Sequence, residues 1–170
     1  MDRRTGLSLI EFEEADMSDA KRFLCEAIEL ARENVRKGGR PFGAVLVKEG
    51  KVIATGVNEI LETGDPTTHA ELQAIRVASK VLGSPRLDGC AIYASGHPCP
   101  MCLSAMHLTG IREVAFAYSN DEGERYGLST AKIYAEMAKP LAEQSLKAAH
   151  MPVRIEGEDP YEMWQALPKG

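Results

Sequence analysis

The sequence predicts an α/β domain in which a five-stranded mixed sheet carries helices on both faces. Three observations carry that prediction. Strand and helix patterns follow one another in the order α, β, β, α, β, α, β, α, β, α. The first two strands form a hairpin, which forces one antiparallel pair. The later strand–helix–strand alternation allows parallel pairs and puts helices over both faces. At 170 residues the chain suits one domain, read over 1–170.

Residues 1–17 show no clear period and read as a loosely ordered N-terminal arm. Ser18 caps the first helix, where Phe23, Leu24, Ala27, Ile28, Ala31 and Val35 recur at three- and four-residue steps. Gly38-Gly39 stops it. Pro41-Phe42-Gly43 leads into an apolar strand, Ala44 to Val47, and Glu49-Gly50 turns the chain into a second, Lys51 to Val57. Asn58 ends that strand. A polar loop over 59–66 closes in Asp65-Pro66. Thr67 or Thr68 then caps a helix to about Val81, with Leu72, Ile75, Val77, Ala78 and Val81 on its apolar side. Gly83-Ser84-Pro85 breaks it. Cys90 to Ser95 is a third strand, and Gly96-His97-Pro98 turns directly into a helix from Cys99 to about Thr109, ended by Gly110. Val114 to Tyr118 is a fourth strand, and 119–129 a long polar loop. Helical pattern returns over about 130–147, broken near Pro140. Pro152 to Glu156 reads as the fifth strand. Asp159-Pro160 opens a last helix holding the sole tryptophan, Trp164. No repeat, low-complexity segment or interdomain linker interrupts this order.

Composition narrows the classes. Apolar residues make up 44% and charged residues 26%, as in ordinary soluble globular chains. The formal charge of −5 and pI near 5.4 argue against a phosphate-tracking protein, which usually shows a basic stripe. The longest apolar run, Phe42 to Val47, is far below the roughly 18 residues of a membrane span. Met1 to Ala20 mixes charges, and its apolar cluster, Leu7 to Ile10, is too short for a secretory signal. The four cysteines are Cys25, Cys90, Cys99 and Cys102, and the last two form a C-x-x-C. A cytoplasmic protein with reduced thiols follows, with Cys25 and Cys90 as buried small hydrophobes.

Two short stretches carry the chemistry: His69-Ala70-Glu71 and Pro98-Cys99-Pro100-Met101-Cys102. Together they offer one imidazole, two thiolates and one unspent carboxylate. Three protein ligands leave a tetrahedral Zn2+ with an open position for water, the catalytic pattern; structural zinc usually takes four. Both stretches fall at predicted helix N-termini, whose partial positive charge favours thiolates. Cys99 and Cys102, three apart, emerge on one side of a first turn. His69 and Glu71, two apart, lie about 200° apart around a helix axis, so they take different roles. His69, Cys99 and Cys102 are the candidate metal ligands and Glu71 the candidate proton shuttle.

Blander roles stand beside these. A lone C-x-x-C also fits a redox pair or half of a structural site, but the upstream histidine and acid favour the catalytic set. His97 is either an alternative ligand or, more commonly at such a place, a turn or pocket-wall residue. His107 and His150 read as surface or packing residues. Asn58 either finishes a turn or reads a planar heterocycle with its amide. Phe42 is core or pocket wall. Trp164 packs against the domain or a partner. Asp121 to Arg125 is a solvated loop, or brings an acid over the pocket.

At these residues the chain resembles the cytidine deaminase-like superfamily, which the pairing of H-x-E with P-C-x-x-C marks. The likeness is greatest to the bacterial guanine and nucleobase deaminase branch. Pro41-Phe42-Gly43-Ala44-Val45, Asn58, Asp65-Pro66-Thr67, Ala74-Ile75-Arg76 and Asp159-Pro160-Tyr161 leading to Trp164 share in it. The resemblance spans about residues 20–166. It implies a five-stranded mixed sheet, Zn2+ on the ligands above, and Glu71 as proton shuttle. The implied activity is hydrolytic deamination of a small heterocycle: guanine first, with cytosine, an s-triazine or a nucleoside as alternatives and transfer RNA adenosine last. Asn58 would bind the base, with Phe42, Ala70 and Pro98 completing the candidate substrate-binding set. A homodimer is implied too, in which the C-terminal segment, taken as 157–170, acts as a lid or crosses to the partner. The chain departs from that branch twice. Gly127-Leu128-Ser129-Thr130 lacks the loop acid of guanine deaminases, leaving Asp121, Glu122 or Glu124 as substitutes. The end, Leu167-Pro168-Lys169-Gly170, has no aromatic residue after Trp164.

Overall fold

Val45 and Val47 alternate with Ala44 and Leu46 along β1 (Gly43–Lys48), and all four side chains are buried. A strand covered on both faces reads as an unbroken apolar run, and that is how this one appears in the sequence. The computed structural model describes residues 14–168. It divides into two units, one ending at Ala135 and one beginning at Glu136.

In the first unit four strands stand in the order β2 (Lys51–Val57), β1, β3 (Cys90–Gly96), β4 (Glu113–Tyr118). β1 is antiparallel to β2 and to β3, while β3 and β4 are parallel. Glu49 (φ +50°) and Gly50 (φ +72°) make the tight turn between β1 and β2. Val45, Val47 and Tyr93 pack against Phe23 and Ala27 of α1 (Glu14–Arg36). On the other face Ala44, Leu46, Ile92 and Ala94 meet α3 (Ala70–Leu82) and α4 (Pro100–Thr109). The mixed sheet and its two helical layers are as expected.

Several local expectations change. The first helix begins at Glu14, four residues before Ser18; residues 1–13, most of the expected arm, lie outside the described residues. Cys25 is exposed, not buried. The buried stripe of α1 runs through Phe23, Ala27 and Ala31, and Cys25 is about 200° around the axis from Phe23. The 59–66 and 119–129 loops hold short helices, α2 (Ile60–Thr63) and α5 (Asn120–Glu124). α5 is nucleated by a capping box between Ser119 and Glu122. α6 (Ala131–Met137) ends well before 147, followed by a 3₁₀ turn at Leu141–Glu143.

On α3, Val77 and Val81 are exposed, and the buried stripe is Ala70, Ala74 and Ala78. These small residues let the helix lie close on β2, where Gly56 receives it. A Cβ at Gly56 would stand 2.1 Å from the Ala70 carbonyl oxygen and 2.7 Å from the Ala74 nitrogen. Gly56→Ala is therefore expected to cost about 1–3 kcal/mol, as overpacking does, lowering the melting temperature by roughly 3–10 °C. An unchanged melting temperature would mean that α3 yields without cost.

In the second unit, described to residue 168, α7 (Pro160–Ala166) starts where expected. The Asp159 carboxylate accepts from Tyr161 N (2.8 Å) and Glu162 N (3.4 Å). Glu136 accepts from Lys139 Nζ (2.6 Å) and from Ser145 N, which holds its carboxyl down to about 2. The expected fifth strand, Pro152 to Glu156, is extended but unpaired, so the described residues form four strands rather than five. A strand exists only against a neighbour. The described residues of this unit include no other strand.

Candidate metal and catalytic centre

The turn into α3 is held by Asp65. Its Oδ1 accepts from Thr67 N (2.7 Å) and Thr67 Oγ1 (2.8 Å), and these bonds, the backbone one foremost, hold its carboxyl below the usual value. Thr68 Oγ1 donates to the Asp65 carbonyl (2.8 Å). Neither threonine caps the helix; the residue at the N-cap is His69, whose side chain makes no cap. The same holds at the neighbouring helix on this face of the sheet. Cys99 is the N-cap of α4, again without a side-chain cap, and Pro100 opens the helix. Both expected N-terminal placements hold, each with a candidate metal ligand standing at the boundary itself.

His69 Nδ1 is 3.4 Å from Cys99 Sγ and 3.6 Å from Cys102 Sγ, and the two sulfurs are 3.6 Å apart. Tetrahedral zinc with ordinary Zn–S and Zn–N lengths needs donor separations of about 3.6–3.8 Å, so the set is nearly at its bound spacing. The donor chemistry, two sulfurs and an imidazole nitrogen, also suits zinc. Among the described residues no fourth group joins these three. The hydrogen bond between the two sulfurs, helped by His69, holds Cys99 down to about 4, while the same contact and burial push the Cys102 thiol up, so that it keeps its proton. Loading the set releases that proton.

Glu71 stands in the first turn of α3, 7% exposed, with Oε2 3.5 Å from Cys102 Sγ. Burial pushes its carboxyl above the usual carboxylate range. A buried acid with a raised pKa beside a metal set is suited to accept and return a proton. His97 is not part of the group. Its ring packs tilted against Phe116 (centroids 4.3 Å, 39° between planes) and meets Tyr134 edge-on (5.4 Å), the pocket-wall role. With Phe42, Val35, Tyr118 and Tyr126 it lines a cavity of about 690 Å³, which neither the three ligands nor Glu71 enter. His107 and His150 are exposed.

The substrate-binding candidates are buried or half-buried around the same turns. Asn58 is 3% exposed; its Oδ1 accepts from Ile60 N (3.2 Å), and its own N–H donates to the Phe42 carbonyl (3.1 Å). Glu59 N donates to the Thr68 carbonyl (2.9 Å), tying this end of β2 to the residue before His69. Ala70 is buried in the core against β2. Phe42 lies against Gly96, where a Cβ would meet its ring at 3.0 Å. Pro98 is buried, and its carbonyl accepts from Tyr134 Oη on α6. Tyr134 was not foreseen: thirty-six positions separate it from Pro98, and no local pattern marks such a contact. Of the loop acids, Glu122 is engaged in its cap, accepting from Ser119 N (2.8 Å) and Oγ (3.0 Å).

An α/β sheet domain that closes two helix N-termini on an imidazole and two thiols, with a buried carboxylate beside them, defines a zinc-dependent hydrolase. The chain belongs to the family described as the cytidine and deoxycytidylate deaminase zinc-binding region, which it matches over residues 17–118. It is 41% identical over 144 residues to the guanine deaminase of Bacillus subtilis, covering 84% of this chain and 92% of that one. The X-ray structure of guanine deaminase from Bacillus subtilis superposes with a TM-score of 0.79 at 39% identity, covering 88% of this chain and 96% of that one. A tRNA-specific adenosine deaminase of Aquifex aeolicus is 41% identical over 95 residues, 56% of this chain and 63% of the relative.

Proposed function

We propose that the protein hydrolyses guanine to xanthine and ammonia. The observation that carries this reading is the preformed His69–Cys99–Cys102 set with Glu71 beside it, in a chain 41% identical to a guanine deaminase over most of its length. A zinc ion on the three ligands supplies Lewis acidity that lowers the pKa of water. Glu71 takes one proton from water and returns it to the ring nitrogen next to the attacked carbon, then takes the second from the newly attached hydroxyl and passes it to the departing amine. The C–N bond breaks, C–O replaces it, and ammonia leaves. The Asn58 amide faces the heterocycle with its Nδ2, since Ile60 N engages Oδ1. Phe42, Ala70 and Pro98 wall the base.

The active form in this reading is a homodimer. Val77 and Val81 on α3 and Leu108 on α4 are exposed, and within the second unit so are Val153, Ile155 and Trp164. The alternation at Val153 and Ile155 suits a strand that finds its neighbour in another copy, and the segment after it, 157–170, would then close the partner's pocket as a lid. Four free cysteines, two of them ligands, suit a reducing cytoplasm. Among the described residues no helix is long and apolar enough to cross a membrane.

The test is ammonia release by zinc-loaded protein from guanine, cytosine, adenine, guanosine, cytidine, an aminated triazine and a transfer RNA stem-loop. Turnover of guanine above the rest is expected. Turnover of another compound alone moves the assignment to that compound, and sedimentation as an 18.5 kDa monomer rejects the dimer.

A further inference from the structure

Asn34 lies in the last turn of α1, outside every motif above, and is half-buried. Its Nδ2 donates to two carbonyls, Arg40 (2.8 Å) and Asn58 (2.8 Å). One carboxamide nitrogen has two hydrogens, so both are spent. Gly39 N donates to the Asn34 carbonyl (2.8 Å), and a Cβ on Gly39 would lie 2.5 Å from Asn34 Nδ2. The absence of a side chain at Gly39 is what lets the chain fold back over this amide.

The contacts close a ring. Phe42 N donates to the Arg40 carbonyl (2.8 Å), and Asn58 N donates to the Phe42 carbonyl (3.1 Å). Asn34 thus fixes the backbone on both sides of the residues proposed to hold the heterocycle. Neither Phe42 nor Asn58 is held this way by its own strand, since each lies just beyond a strand end.

We propose that Asn34 is a positioning residue for substrate, acting through the Asn58 backbone and the turn that carries Phe42. This rests on the reading of Asn58 as the base-binding residue. Asn34 does not reach the metal set, so its loss acts on binding of the heterocycle and not on proton transfer by Glu71.

The experiment is a double-mutant cycle on the zinc-loaded full chain with the heterocycle it turns over, using Asn34→Ala, Asn58→Ala and the pair. Asn34→Asp, which keeps shape but cannot donate, is the second single variant. Asn34→Ala is expected to raise KM about tenfold, the scale of two lost hydrogen bonds, with kcat and zinc content little changed. In the Asn58→Ala background the same change is expected to raise KM by clearly less, the remainder being what passes through the turn that carries Phe42. Full additivity, or a fall in kcat and melting temperature without a rise in KM, overturns the proposal. So does an unaltered KM in both Asn34 variants while Asn58→Ala raises it. If Asn58→Ala itself leaves KM unchanged, the base-binding reading of Asn58 falls, and the inference with it.

Discussion

Glu71→Gln is expected to slow ammonia release by at least about 10³-fold while leaving one zinc per chain, because it removes the carboxylate that lies beside the candidate metal set and keeps the candidate ligands. Ammonia assay and metal analysis on the same sample check both halves. Activity within tenfold of the parent would assign the proton to another group. The same variant carries a pH signature in the metal-free protein. Burial raises the folded-state carboxyl above its ordinary value of 4.5. Below 4.5 both folded and unfolded forms are protonated, and burial of the group costs nothing extra. As pH rises through that value the unfolded chain ionises first, and stability falls until the folded carboxyl has also ionised. Glutamine has no such cost. Its metal-free form should therefore melt higher than the parent at pH 7 and equal to it in acid, so the acid is kept for chemistry at the expense of stability.

Removal of zinc is the second large effect. Chelation, or Cys102→Ser, is expected to abolish turnover, and zinc should restore it only to the chelated parent. Cys102 is fully buried in the core against α3, so its ligand bond is also a packing bond. At zinc a thousandfold above its dissociation constant, linkage contributes about 4 kcal/mol to stability. For a chain of this size that is roughly 8–16 °C in melting temperature. Full activity in the metal-free protein would remove the metal from the reaction.

What could be read from the sequence follows from how local each feature is. The candidate ligands and Glu71 sit in two motifs of a few residues, and spacing within each motif decides which side chains emerge together. β1 was legible because its apolar run is unbroken. The stripe on α3 was misjudged because weight fell on Val77 and Val81, whereas contact with β2 is made by alanines against Gly56. α5 was missed although Ser119 and Glu122 have capping-box spacing, because its five residues show no hydrophobic period. The strand over 152–156 has the right alternation, but pairing belongs to two segments and cannot be read from one. Tyr134 and Asn34 act on carbonyls distant in sequence, and a carbonyl has no signature of its own.

The division of the chain at 135 and 136 has a consequence for how such a protein can change. The residues proposed to split the C–N bond, His69, Glu71, Cys99 and Cys102, and the turns bearing Asn58 and Phe42 all belong to the unit that ends at Ala135. None of these proposed residues falls in the unit that begins at Glu136. Descendants that trade that tail, or shuffle it by recombination, would keep every one of those residues.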